Sequence, residues 1–300
     1  MSPTSKGMAY ANGRFINIDE AAVPLLDWGF IRSDATYDVV SVWKGRFFRL
    51  EDHLDRFEAS VRGLRMTLPV SRDNLKRILA KCVVGGGLNE AYVSMTCTRG
   101  VPPPSSRDPR VFSNRLYAFA IPYVRVFDSH TQGRGANVVT VRNHRIPPES
   151  VNPRIKNYHW LDLIMGTIEA LDSGGDLPLL LSHEGEVTEG AGYNIFLCKD
   201  GQVVTPDQGI LEGITRQTVF DICQMNNIPV VSRKISLEEV QGADEVFLTS
   251  TAGGIIPAET IDFIPLIAEC PGSLTKTIMR DYWKLHENPD WTVEVKSLLS

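Results

Sequence analysis

The sequence predicts a mixed α+β and α/β protein of two domains. Its 300 residues suit two compact domains or one large one. Short strand-like runs bounded by Asn-Gly, Lys-Gly, Glu-Gly and Asp-Gly pairs are interspersed with helical stripes. A polar, turn-rich stretch at 125–135 separates two such series. A small α+β domain is therefore expected at 1–124, a linker at 125–135 and a larger domain at 136–300.

In chain order, residues 7–15 read as strand, turn and strand around Asn12-Gly13, and 36–50 repeat the pattern around Lys44-Gly45. Leu50, Leu54, Phe57, Val61 and Leu64 then form one apolar helical stripe. Ser71 can cap a second helix that ends in Gly85-Gly86-Gly87. Strands at 91–98 and 116–123 flank a Pro-rich loop and close the first domain. The second domain opens with a strand at 136–141 and a helix at 160–171. Short strands follow near 179–182, 187–189, 193–198 and 203–205. Helix 215–225, strand 230–232, helix 237–240, strand 245–249 and a last helix at 273–286 complete it. The apolar runs 177–181 and 261–267 are the size of core strands.

Composition narrows the function. Lys+Arg 31 against Asp+Glu 36 gives a net charge of −5, without the clustered basic surface of a nucleic-acid binder. No run approaches the roughly 18 apolar residues of a membrane span. The polar start, 1–7, lacks the apolar stretch of a signal peptide. Cys82, Cys97, Cys198, Cys223 and Cys270 are scattered, so buried free thiols in a reducing compartment are expected. A cytoplasmic enzyme fits these features. The histidines never take metal-ligand spacing, and no dinucleotide, P-loop, Ser-elbow or zinc-hydrolase signature occurs. No metal is expected.

Four features carry chemistry. Lys156, among Ile155, Tyr158 and Trp160 and just before a helix, can be partly desolvated and present a neutral amine for imine formation. Glu189 leads Gly190-Ala191-Gly192, small residues that let a flat ligand approach, and a carboxylate beside a pyridine nitrogen keeps it protonated. Leu211-Glu212-Gly213-Ile214-Thr215 opens a helix, where free N–H groups and the dipole suit a phosphate. Ser250-Thr251-Ala252-Gly253-Gly254 offers a hydroxyl and N–H groups to an anion. Each has an ordinary alternative: a surface lysine, a solvated turn glutamate, a capped helix start, a plain turn. Together they describe a site for pyridoxal 5'-phosphate (PLP).

In that order the features resemble the fold-type IV PLP enzymes, the branched-chain and D-amino-acid aminotransferase superfamily, over nearly the whole chain. The stretch from Phe48 to Arg56 resembles the family's helix start, whose H-x-x-R arginine grips the phosphate; this maps to Arg56. The resemblance implies that Lys156 binds the cofactor covalently and shuttles the proton, and that Glu189 pairs with the pyridine nitrogen. It gives Ile214, Thr215 and Thr251 to the phosphate, and it implies a homodimer with sites at the interface.

Within the superfamily, Thr36-Tyr37-Asp38-Val39, Ser41-Val42-Trp43, 46–50, 152–157, Trp160 and 251–254 resemble the (R)-selective amine transaminases. That likeness puts Tyr37, Val39, Tyr92, Trp160, Tyr193 and Ala252 around the substrate, with Arg32 supplied by the partner subunit. The loop 101–107 lacks the R-x-H pair with which D-amino-acid aminotransferases hold a carboxylate. The amine transaminases instead use one mobile loop arginine, whose usual position matches Ser105 here, and the resemblance makes Arg107 its expected substitute. The implied reaction moves an amino group from an (R)-configured primary amine to a keto acid such as pyruvate by a ping-pong mechanism. The alternatives are a branched-chain aminotransferase using 2-oxoglutarate, a D-amino-acid aminotransferase, an aminodeoxychorismate lyase and a non-catalytic PLP-binding protein.

Overall fold

The computed structural model describes residues 6–128 and 134–300. Residues 129–133 of the expected linker and the first five residues of the polar start lie outside the described residues. Strands β1 (Met8–Ala11), β2 (Arg14–Asn17), β3 (Ala35–Trp43), β4 (Arg46–Phe48), β5 (Ala91–Thr98) and β6 (Arg115–Pro122) come first, with helices α1 (Trp28–Arg32), α2 (Leu50–Gly63) and α3 (Arg72–Gly85) among them. Then follow β7 (Ala136–Thr140), α4 (Leu161–Asp172), β8 (Leu177–Leu179), β9 (Glu189–Gly190), β10 (Tyr193–Lys199), β11 (Gln202–Thr205), α5 (Ile214–Met225), β12 (Val230–Ser232), α6 (Leu237–Gln241), β13 (Glu245–Ser250), β14 (Gly254–Ile261), β15 (Ile264–Pro265), α7 (Ser273–Leu285) and β16 (Thr292–Glu294). They form two units. The first holds 1–124, 155–158 and 286–300; the second holds 125–154 and 159–285.

The first unit is an antiparallel sheet in the order β16-β4-β3-β5-β6-β1-β2. Both expected hairpins form: Asn12 and Gly13 (φ 52° and 79°), like Lys44 and Gly45 (φ 48° and 74°), take the paired left-handed conformation that a two-residue turn needs. One face of the sheet packs on α2 and α3 through Val40, Val42, Leu54, Phe57, Leu79 and Met95. Strand β4 pairs with β3 only at Val42 and Trp43. Near the start of β3, the backbone of 156–157 supplies bonds instead: Tyr37 N and Thr36 Oγ1 donate to Lys156 O at 3.1 and 2.7 Å. A strand edge is thereby satisfied by a short segment from a distant part of the chain.

The second unit is a mixed sheet in the order β12-β11-β10-β13-β14-β7-β8, with β9 on β10 and β15 on β14. Its core lies around Val138, Leu179, Ile195, Val246, Leu248 and Ile256. Strand β14 is central here, where the sequence predicts a turn at its start; of the core-sized run expected at 261–267, Ile261 ends β14 and the rest gives only the exposed two-residue β15. Gly254 and Pro257 mask β14 as a strand, but its neighbours β13 and β7 bury Ile255, Ile256, Ala258 and Ile261. Helix α1 and strand β16 were also not anticipated. All five cysteines are free; four are buried and Cys270 is half-buried. Burial pushes the Cys82 and Cys97 thiols up to about 12, so they are inert as nucleophiles near neutral pH. Among the described residues no helix is long and apolar enough to cross a membrane, and no group of His, Cys, Asp and Glu could hold a metal ion.

Candidate active site

In the first unit, the face of the sheet opposite α2 and α3 carries the candidate lysine. Register places Tyr37 opposite Thr96, Val39 opposite Ser94 and Ser41 opposite Tyr92; on β6, Tyr117, Phe119 and Ile121 continue the same rows. Three of the expected substrate residues, Tyr37, Val39 and Tyr92, therefore share this face. Lys156 Nζ lies 4.6 Å from the Tyr37 ring centre. Tyr158, expected only as a neighbour that desolvates Lys156, stacks on Tyr37 with centres 4.6 Å apart and planes 8° apart, and its hydroxyl meets Thr96 at 3.0 Å. An apolar cavity of about 350 Å³ opens beside it, lined by Ala35, Thr96, Tyr117, Phe119 and Tyr158 among others. Burial raises the Tyr37 hydroxyl well above its ordinary value and pushes Tyr92 up to about 12, so both stay neutral.

Arg56, on α2, is oriented by a carboxylate that sequence reasoning missed. Asp38 is fully buried at the centre of β3. It accepts from Arg56 Nε and Nη2, each at 2.8 Å, from Val39 N at 2.7 Å, and stands 2.8 Å from His53 Nδ1. Burial opposes charge on Asp38, but Arg56 and His53 more than offset it and hold the carboxyl well below its usual range. Burial likewise lowers His53, so the ring is neutral and donates Nδ1–H to Asp38. The family resemblance of 48–56 pointed to Arg56, with His53 opening the same H-x-x-R; nothing local marked Asp38 as their partner. Arg32 ends α1, exposed, with its guanidinium 4.9 Å from the Trp28 ring centre. Arg107 is exposed in the loop before the turn at Pro109–Val111.

In the second unit, Glu189 is 5% exposed on β9. Its Oε2 accepts from Leu211 N at 2.9 Å and from Asn194 Nδ2 at 3.3 Å; its Oε1 accepts from Arg145 Nε at 3.1 Å. Asn194 Nδ2 also donates to Leu211 O at 2.8 Å, tying β10 to the loop ahead of α5. Gly213 is the N-cap of α5 and gives it no side-chain bond, and a Cβ there would come within 2.3 Å of Asn194 Oδ1. Ile214 and Thr215 thus begin a 12-residue helix without a side-chain cap, an arrangement suited to an anion. Thr251 sits in the turn between β13 and β14, where Ser250 Oγ donates to Gly192 O at 2.9 Å and accepts from Ala252 N at 3.2 Å. Trp160 precedes α4, and a Cβ on Gly192 (φ 86°) would lie 3.3 Å from its ring. Tyr193 is 3% exposed in the core, its hydroxyl bonded to Pro178 O.

The model of the class IV amino-transferases matches residues 35–261 of this sequence. The chain belongs to the class IV aminotransferases. A Methanocaldococcus jannaschii protein named provisionally as a branched-chain-amino-acid aminotransferase is 30% identical over 95% of this chain and 98% of its own. The D-alanine aminotransferase of Listeria monocytogenes is 31% identical over 88% and 91%. Among solved structures, the PLP form of the branched-chain amino acid aminotransferase of Thermobaculum terrenum shares 25% identity and superposes with a TM-score of 0.87 over 98% and 99% of the two chains. The protein is a PLP-dependent transaminase of fold type IV, a class that works on amino and keto acids. The donor set fits the cofactor: an uncapped helix start and a hydroxyl-rich turn suit a phosphate, and an anchored carboxylate suits a protonated ring nitrogen.

Proposed function

We propose that this aminotransferase takes its amino group from (R)-configured primary amines and passes it to a keto acid such as pyruvate. The observation that supports this reading is the make-up of the Lys156 face. Its rows on β3, β5 and β6 read Tyr37, Thr96 and Tyr117, then Val39, Ser94 and Phe119, then Ser41, Tyr92 and Ile121. These nine residues are aromatic, aliphatic or hydroxylated, and none is a cation that would bind a carboxylate on every substrate. An apolar amine suits such a wall. The keto acid requires a cation that is withdrawn for the amine, and exposed Arg107 has that role in this proposal.

In the first unit, Arg56 grips the cofactor phosphate, its guanidinium held by Asp38, and Lys156 bonds the cofactor through Nζ. In the second, Ile214, Thr215 and Thr251 add phosphate contacts and Glu189 pairs with the ring nitrogen. When bound, PLP supplies the electron sink that accepts the amino group in one half-reaction and returns it in the other. Lys156 Nζ would take the proton from the substrate carbon, hold it as an ammonium, and give it back to complete each half-reaction. Tyr37, Val39 and Tyr92 would face the substrate from the sheet of the first unit; Trp160 and Ala252 are the substrate residues proposed in the second, and Arg32 would come from the partner subunit. Core-bound Tyr193 supports the backbone beside Glu189 in this scheme.

A homodimer is part of the proposal. One face of α4 buries Leu163, Gly166 and Ala170, while Leu161, Ile164, Met165, Ile168 and Leu171 are 44–73% exposed on the other. An apolar row of that kind is a surface for a second copy. The free cysteines accord with a cytoplasmic site of action.

Transamination of branched-chain amino acids is the second reading, favoured by the names of the M. jannaschii and T. terrenum relatives. Spectra of the PLP-loaded enzyme separate the two. (R)-1-phenylethylamine should bleach the yellow cofactor band and (S)-1-phenylethylamine should not. A band that responds only to L-leucine or D-alanine would overturn the amine reading while leaving the transaminase intact.

A further inference from the structure

Behind Glu189 stands a second buried ion pair that a carboxylate needing only solvent and two N–H donors would not require. Arg145 follows β7 in a loop fixed by its own N–H on Leu181 O at 2.9 Å. Its side chain is 12% exposed and bridges two carboxylates: Nε lies 3.1 Å from Glu189 Oε1 and Nη1 lies 2.6 Å from Asp162 Oδ2. Asp162, in the first turn of α4, also accepts from Ile146 N at 3.0 Å, while its buried Oδ1 has no hydrogen-bond partner. A buried carboxylate stays charged only when cations and N–H donors replace water. Glu189 has a cation on one oxygen and neutral donors on the other, so the plane of its carboxylate is fixed as well as its charge.

We propose that Arg145, itself clamped by Asp162, is a positioning residue that keeps Glu189 ionised and aimed, and so sets how strongly this enzyme prefers a cofactor with a basic ring nitrogen. The inference rests on the assignment of Glu189 to that nitrogen. Arg145 acts through Glu189 and not on the cofactor. The paired carboxylates keep Arg145 firmly protonated: burial works against its charge, and Glu189 and Asp162 outweigh it. Arg216 on α5 is a further cation coupled electrostatically to Glu189; it bonds Pro206 O and Ser232 Oγ at 3.0 and 2.7 Å, contacts that do not involve Arg145.

A purely structural link between β7 and α4 would weaken every cofactor alike; a link acting through Glu189 would weaken only those with a ring nitrogen. The full-length protein, stripped of cofactor, is titrated with PLP and with 1-deaza-PLP, in which carbon replaces that nitrogen, and binding is read from tryptophan fluorescence. The wild type should prefer PLP. Arg145→Met should lower that preference about tenfold, the low end of what one charge-assisted hydrogen bond supplies, with little change toward the deaza analogue. Arg145→Lys should keep most of it. Asp162→Asn, which loosens the clamp but leaves the Arg145 charge, should lower it about threefold on the same scale, and this variant decides the matter if Arg145→Met does not fold. Full preference retained in the folded variants overturns the inference and leaves Glu189 in its role. A wild type that binds both cofactors equally overturns the Glu189 assignment, and the inference with it.

Discussion

Asp38 offers the most quantitative test of the first unit. The carboxylate is wholly inaccessible and satisfies Arg56 twice, Val39 N–H and His53. Asp38→Asn keeps the shape, but puts an amide N–H against donors and takes the buried counter-charge of Asp38 away from half-buried Arg56. Removing one partner of a buried ion pair costs about 3–5 kcal/mol, so the variant should lose about that much in urea unfolding at neutral pH. The sign of the pH dependence follows from the lowered carboxyl. A group with a depressed folded-state pKa contributes stability above its unfolded value, and that contribution is lost only as pH falls through the folded value. Asp38 starts from 3.8 and is lowered, so the gap between wild type and variant should not narrow between pH 7 and pH 4 and should close only below. A loss under about 1 kcal/mol, the range of an exposed pair, or a gap that already shrinks between pH 7 and pH 5, would refute the reasoning.

Other outcomes follow from the same structure. His53 is lowered by burial from 6.5, so the unfolded chain takes up its proton first and wild-type stability should fall as pH drops below about 6.5; His53→Gln should flatten that slope, and an unchanged slope would exclude the neutral buried ring. Arg107→Ala should raise KM for pyruvate far more than for an aryl-alkyl amine, and equal effects in steady-state kinetics would remove it from the carboxylate role. Ile164→Glu with Ile168→Glu should turn the proposed dimer into a monomer in analytical ultracentrifugation; a dimer that survives both places the interface elsewhere. Ser236 closes a reciprocal cap with Glu239 on α6, and Ser236→Ala should cost about 1 kcal/mol in chemical denaturation.

Local chemistry made much of this architecture readable. The two left-handed turns follow from Asn-Gly and Lys-Gly, α2 from its apolar stripe, and the uncapped start of α5 from Gly213. Lys156 and Glu189 stood out because their short neighbourhoods were unusual, and Arg56 through the family resemblance of 48–56. What escaped depends on residues far apart in the chain. Asp38 is an ordinary strand residue until α2 lays His53 and Arg56 over it, and Arg145 lies 44 residues before the carboxylate it holds. Strand β14 carries Gly and Pro, and only burial between its neighbours makes it a strand. Strand β16 has no signal of its own, since its partner β4 lies near the other end of the chain. Periodicity reports which face of an element is apolar; it does not report which distant element covers that face.

Reduction of the PLP-loaded enzyme with borohydride shows which lysine carries the cofactor. Hydride fixes the cofactor–lysine bond as a stable secondary amine, and peptide mass mapping then finds the modified residue. The account predicts a single pyridoxyl-phosphate adduct on the peptide containing Lys156, absent from Lys156→Ala. An adduct on another lysine, or none in a PLP-loaded yellow protein, would contradict it.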